Sequence, residues 1–185
     1  MRVLAAVVAV ISLALAPAPA LARPASSGWY TEGGLGAVGM LPPSSDDAAP
    51  GPALDVRIGR DVFSWLSIGV ALSASSHEAT VPPPPEGEWF QLYRGCGEAR
   101  LGARFDSIAI FAEGGAGLAM VSSNVLRDEV EPGERFSIAF TGGAGFEYQL
   151  ENRHYAIGAG VDAFLLPQFA AITAVAARLY LRYTY

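Results

Sequence analysis

From residue 28 to the end of the chain, apolar and polar side chains alternate with a period of two. That period marks strands whose two faces meet different surroundings. Leu54, Val56 and Ile58 oppose Asp55, Arg57 and Gly59. Leu66, Ile68, Val70 and Leu72 oppose Ser67, Gly69, Ala71 and Ser73. Phe136, Ile138, Phe140, Phe146 and Tyr148 oppose Ser137, Thr141, Gly143 and Glu147. The last eight residues, RLYLRYTY, set Leu179, Leu181, Tyr183 and Tyr185 against Arg178, Tyr180, Arg182 and Thr184. No helical period competes. The pattern predicts eight strands, over 28–39, 53–60, 64–74, 89–105, 108–121, 135–149, 154–164 and 172–185.

One face of these strands carries Glu32, Asp55, Arg57, Glu98, Arg100, Arg104, Glu113, Glu147, Asp162, Arg178 and Arg182. The other is almost purely apolar and often aromatic. A soluble barrel needs charge on the outer face of nearly every strand. The arrangement that suits both faces here is inverted, with the apolar face in lipid and the charges inside. The expected fold is all-β: an eight-stranded, antiparallel, up-and-down transmembrane β-barrel. Closing the sheet removes edges that hydrocarbon cannot solvate.

Connection lengths point the same way. The links near 61–63, 106–107 and 151–152 are short, and those over 40–52, 75–88, 122–134 and 165–171 are long. Such alternation is expected of short periplasmic turns and longer extracellular loops. Both termini then fall on the short-turn side. A tight turn at Asp106-Ser107 sets Arg104 across from Ala109 and Arg100 across from Glu113, all on the polar face.

An aromatic last residue, Tyr185, follows apolar residues at alternate positions, Ala177, Leu179, Leu181 and Tyr183. This resembles the C-terminal assembly signal of bacterial outer-membrane barrels, and the resemblance implies recognition by the barrel-insertion machinery. With the other strands, residues 28–185 resemble in architecture the small eight-stranded outer-membrane proteins of the OmpA-barrel, OmpX and OmpW type. Compared with full-length OmpA, no peptidoglycan-binding domain is expected after the barrel.

Before the barrel, Arg2, an apolar run and Ala20-Leu21-Ala22 have the three parts of a cleaved secretory signal peptide. The expected domains are a signal peptide, 1–22, and an outer-membrane barrel, 23–185. Export leads to the Gram-negative cell outer membrane. The single cysteine, Cys96, cannot form an internal disulfide and is read as inert. A net charge of −6 without a basic block argues against nucleic acid as a partner. The expected partners are outer-membrane lipid, lipopolysaccharide and the insertion machinery, with the barrel itself a monomer.

Candidate chemistry centres on the inward charges. Eight strands leave an interior filled by side chains, so charges there must pair. Glu32, Arg57, Arg100, Arg104, Glu113, Glu147, Arg178 and Arg182 are expected to form one contiguous network in the periplasmic half of the lumen. Small lumenal residues, among them Gly69, Gly102, Gly115, Gly117, Gly143 and Gly158, make room for the arginines or leave a cavity. His77 is a possible general base for Ser75 or Ser76, but the favoured reading is a solvated loop histidine. Asp128, Glu129, Glu131 and Glu134 lack any defined metal-ligand spacing, and Pro82 to Pro85 form a stiff extended tract. Trp29, Trp65, Trp89, Tyr155, Tyr183 and Tyr185 sit where interfacial aromatic girdles are expected. The expected role is structural, adhesive or accessory, with no catalytic residue, metal or cofactor and a largely plugged lumen. A narrow channel for small or hydrophobic solutes, and a lipid-active enzyme, are the alternatives.

Overall fold

The computed structural model describes residues 28–42, 48–79, 88–122, 135–169 and 172–185. The signal peptide, the Pro82–Pro85 tract and the acidic segment 128–134 lie outside them. Eight strands follow in order: β1 (Trp29–Met40), β2 (Gly51–Phe63), β3 (Leu66–Ala79), β4 (Glu88–Phe105), β5 (Ile108–Val121), β6 (Phe136–Gln149), β7 (Tyr155–Leu166) and β8 (Ile172–Thr184). Each pairs antiparallel with the next, and β8 returns to β1 to close the barrel. The fold is the expected eight-stranded antiparallel barrel. Across the Asp106-Ser107 turn Arg100 pairs with Glu113, and at the closing seam Glu32 pairs with Arg182.

Exposure alternates in the phase of the sequence. Leu54, Val56 and Ile58 are 51–59% exposed, whereas the intervening Asp55 and Arg57 are 9% and 6% exposed. Burying ionised side chains while exposing aliphatic ones reverses the soluble arrangement.

Two strand ends lie three or more residues beyond expectation. Strand β2 runs on to Phe63 and turns at Ser64-Trp65, so Asp61 is a strand residue and not part of the turn. A register irregularity between Asp61 and Phe63 breaks the alternation there. Strand β3 continues past residue 74 to Ala79, and its pairing with β4 persists to Glu88. Ser75 to Glu78 are polar on both faces, so apolar alternation fades while hydrogen bonding continues.

The lumen has two parts. Toward the long-loop end, Val38, Met40, Phe90, Leu92, Val121, Phe164, Leu166, Phe169 and Ile172 form an apolar core. Phe169, from the β7–β8 connection, is fully buried in it. Toward the short turns the filling is charged and aromatic. There Gly158 makes room for the Tyr180 ring, not for an arginine, since an added Cβ would collide with that ring. Tyr180 is buried and donates to Glu147 at 3.0 Å, so it cannot move aside. Gly158→Ala is expected to cost about 1–3 kcal/mol of stability. Gly33→Ala, where a Cβ meets nothing within 4 Å, should cost nothing measurable. Denaturant unfolding in lipid vesicles checks both.

Candidate functional site

The lumenal face carries seven carboxylates, Glu32, Asp55, Asp61, Glu98, Glu113, Glu147 and Asp162. Six arginines face them: Arg57, Arg94, Arg100, Arg104, Arg178 and Arg182. Among the described residues, six arginines therefore lie inside the barrel. Guanidinium suits such a site because its planar fork presents five donors and serves several carboxylates at once.

Arg100 shows this best. Its Nη1 donates to Glu32 Oε1 at 2.8 Å and to Glu147 Oε1 at 2.6 Å. Its Nη2 donates to Glu32 Oε2 at 3.0 Å, and its Nε to Glu113 Oε2 at 3.2 Å. Four strands meet at this one side chain. Arg57 Nη1 lies 2.8 Å from both Glu98 and Glu113. Arg178 holds Glu113 at 2.5 Å through Nη2 and pairs with Asp162 through Nη1. Arg182 Nη2 grips both oxygens of Asp61 at 2.6 and 2.7 Å, while its Nη1 reaches Glu147 at 3.3 Å and Glu32 at 3.4 Å. Arg104 lies 3.7 Å from Glu147 and donates to the neutral Gln149 at 3.1 Å. Ser67 adds β3 by donating to Asp61 at 2.6 Å.

The structure thus brings all eight residues singled out in the sequence into one connected network. It adds Asp61, Glu98 and Asp162. Glu98 and Asp162 sit higher in the barrel, but the long guanidinium side chains of Arg57 and Arg178 reach them. Aromatic rings complete the packing: Arg182 lies over Tyr30 at 3.9 Å and Arg100 over Phe111 at 4.1 Å. Arg94 stands apart, 3.8 Å above the Phe164 ring at the border with the apolar core. Phe111 and Phe164 break the rule that the inward face is polar, which is why alternation alone did not mark them as lumenal.

His77 is not a solvated loop residue. It is fully buried on β3, stacks on Phe90 at 5.3 Å and meets the Ala49 carbonyl through Nδ1 at 3.1 Å. With a carbonyl as partner Nδ1 must be the donor, so Nε2 accepts from the Ser75 hydroxyl at 2.8 Å. This serine–imidazole pair faces the lumen and is buried, where it clamps the segment before β2 onto β3. Cys96 is buried in the apolar core. His154 stacks on Tyr183 at 5.9 Å and contacts the Thr184 carbonyl at 2.9 Å. Leu179, Leu181 and Tyr185 point outward, and Tyr183 packs between Tyr155 and Tyr185 at 4.9 and 5.0 Å. No cluster of three metal-ligating side chains occurs among the described residues.

No protein-family model and no curated protein matches the sequence. Solved structures do match in shape. Neisserial surface protein A superposes with a TM-score of 0.62 and 14% identity, over 88% of this chain and 100% of that one. Ail, the attachment invasion locus protein of Yersinia pestis, in complex with the heparin analogue sucrose octasulfate, gives 0.51 and 11% identity over 85% of this chain and 99% of its own. The N-terminal β-barrel domain of Pseudomonas aeruginosa OprF gives 0.51 and 11% identity over 85% and 98%. The fold is that of the small eight-stranded outer-membrane barrels.

Within the network Glu113 touches three arginines, so its loss strands buried positive charge. Glu113→Ala should destabilise the barrel by about 3–5 kcal/mol. Pairing it with Arg100→Ala removes only one of those arginines, and Arg178 is the closer partner. The Glu113→Ala, Arg178→Ala cycle should show a coupling of about 1–3 kcal/mol by denaturant unfolding in lipid. Simple additivity would mean that the pair contributes no mutual stabilisation.

Proposed function

We propose that this chain is an integral outer-membrane barrel of a Gram-negative bacterium, exported through a cleaved signal peptide. Its role is structural, adhesive or accessory, it is non-enzymatic, and its lumen is plugged. The inverted surface carries this reading. Leu54, Val56, Ile58, Ile68, Val70, Leu72, Phe140, Phe146, Leu179 and Leu181 stand about half exposed or more around a closed sheet with a charged interior. A soluble monomer rarely shows an apolar patch beyond a few hundred Å². In hydrocarbon such a belt is the favoured surface.

Aromatic rings support the same placement. Trp29, Phe63, Trp65 and Phe105 stand exposed near the short-turn end, and Trp89 and Phe136 near the other. Rings at both rims of an apolar belt anchor a barrel at its two interfaces. The short turns then face the periplasm and the long loops the outside, beside lipopolysaccharide. The outward Leu179, Leu181, Tyr183 and Tyr185 serve the insertion machinery, and the barrel acts as a monomer.

The paired charges below and the apolar core above favour a plug over a solute path. They also separate the buried Ser75–His77 pair from any lipid substrate, which argues against the enzyme alternative. The protein should fractionate with the outer membrane and show heat-modifiable migration, and recovery as a soluble periplasmic monomer would refute the location. Ile68→Arg, set in the lipid belt, should cost about 2–4 kcal/mol in refolding into vesicles. The purified barrel should give no conductance steps in planar bilayers. Regular steps that change when Arg100 is removed would favour the narrow channel.

A further inference from the structure

Near the short-turn end the wall of the barrel is not level. Strand β3 begins at Leu66 and pairs with β4 only from Leu101, while β4 runs on to Phe105. Beyond Leu101 the one backbone hydrogen bond across this edge among the described residues is the Gly102 N–H donating to the Trp65 carbonyl at 2.9 Å. The protruding β4–β5 hairpin and the lower β2–β3 turn therefore frame a side notch. It opens into a cavity of about 340 Å³.

The lining of this cavity is amphipathic. On the inner side lie Arg100, Arg104 and Arg182, with Asp61 and Glu147. Both acids are already engaged, Asp61 by both oxygens with Arg182 and Glu147 by Arg100 at 2.6 Å. Arg104 is engaged least, with its nearest carboxylate at 3.7 Å and one amino group on neutral Gln149. Its side chain is 20% exposed, against 7% or less for Arg57, Arg100, Arg178 and Arg182. On the outer side lie Ala103 and Ile110, beside the stacked rings of Phe63 and Trp65. A cation set behind an apolar doorway at membrane-interface height matches a molecule with an acidic head and a hydrocarbon tail.

We infer that this notch binds the headgroup of an anionic membrane lipid. Its acidic oxygens sit on Arg104, and its chain runs up the lipid-facing wall past Ala103 and Ile110. The inference rests on the membrane placement proposed above.

The test uses the full barrel refolded into nanodiscs of phosphatidylcholine with a minor fraction of phosphatidylglycerol. Native mass spectrometry after release reads the lipid that stays bound. Wild type should retain phosphatidylglycerol selectively, and Arg104→Gln should lose that retention severalfold. Arg60→Gln, an exposed arginine on β2 outside the cavity, should keep it. Ala103→Trp blocks the doorway without touching the charge network and should lose the lipid with Arg104 intact. Equal retention by wild type, Arg104→Gln and Ala103→Trp would overturn the site, as would equal retention of phosphatidylcholine. Displacement by glycerol phosphate as effective as by phosphatidylglycerol would make this a free-anion site and overturn the lipid assignment. A chain that never enters the nanodisc would remove the membrane placement and this inference together, which separates the two failures.

Discussion

A closed eight-stranded sheet has an interior too narrow for bulk water, so a charge inside it must be met by protein. That constraint organises the molecule. Seven carboxylates and six arginines come from the lumenal faces of the strands, and they are interleaved so that most guanidinium groups touch two or more acids. With Ser67 bound to Asp61, every strand contributes a group to the network. The hydrogen bonds of the sheet run around the barrel wall. The charge network runs across it and, with the apolar core above, resists flattening of the cylinder.

Lumenal filling changes character with height because the strands change composition along their length. The halves of β1, β4, β7 and β8 nearest the long loops point Val38, Phe90, Leu92, Phe164, Leu166 and Ile172 inward, and these close on one another without polar atoms. Polar residues buried there find partners: His77 and Ser75 satisfy each other and the Ala49 carbonyl, and Ser137 donates to Gln168. Guanidinium groups near the border rest on aromatic faces, as Arg94 does on Phe164. At that border it is a ring face that meets the Arg94 guanidinium.

Most of the architecture was legible in the sequence because barrel walls are two-sided at every residue. Alternation placed Leu54, Ile68 and Leu181 outside and Arg57, Glu113 and Arg182 inside, and one tight turn set the Arg100–Glu113 register. Legibility failed where the period of two lost its contrast. Ser75 to Glu78 are polar on both faces, so alternation ends β3 early and places His77 in a loop. Asp61 looked like turn composition beside an irregular register. Phe111 and Phe164 are apolar residues on the inner face, and only packing against arginines reveals their place. Pairing partners inside the lumen were the least readable feature, since side-chain reach across a barrel has no signature along the chain.

The seam between β1 and β8 joins the two ends of the barrel sequence. Glu32 and Arg182, separated by 150 positions, meet there and also share Glu147 and Arg100 as neighbours. Loop closure of that span must precede any reward from the contact, which makes assembly intrinsically slow. Until β8 arrives, Asp61, Glu147 and Glu32 lack Arg182, and Glu113 and Asp162 lack Arg178. A partly built barrel therefore carries surplus negative charge in its forming lumen. The final strand supplies two cations that offset it, so the charge balance favours the closed barrel over the partly built one.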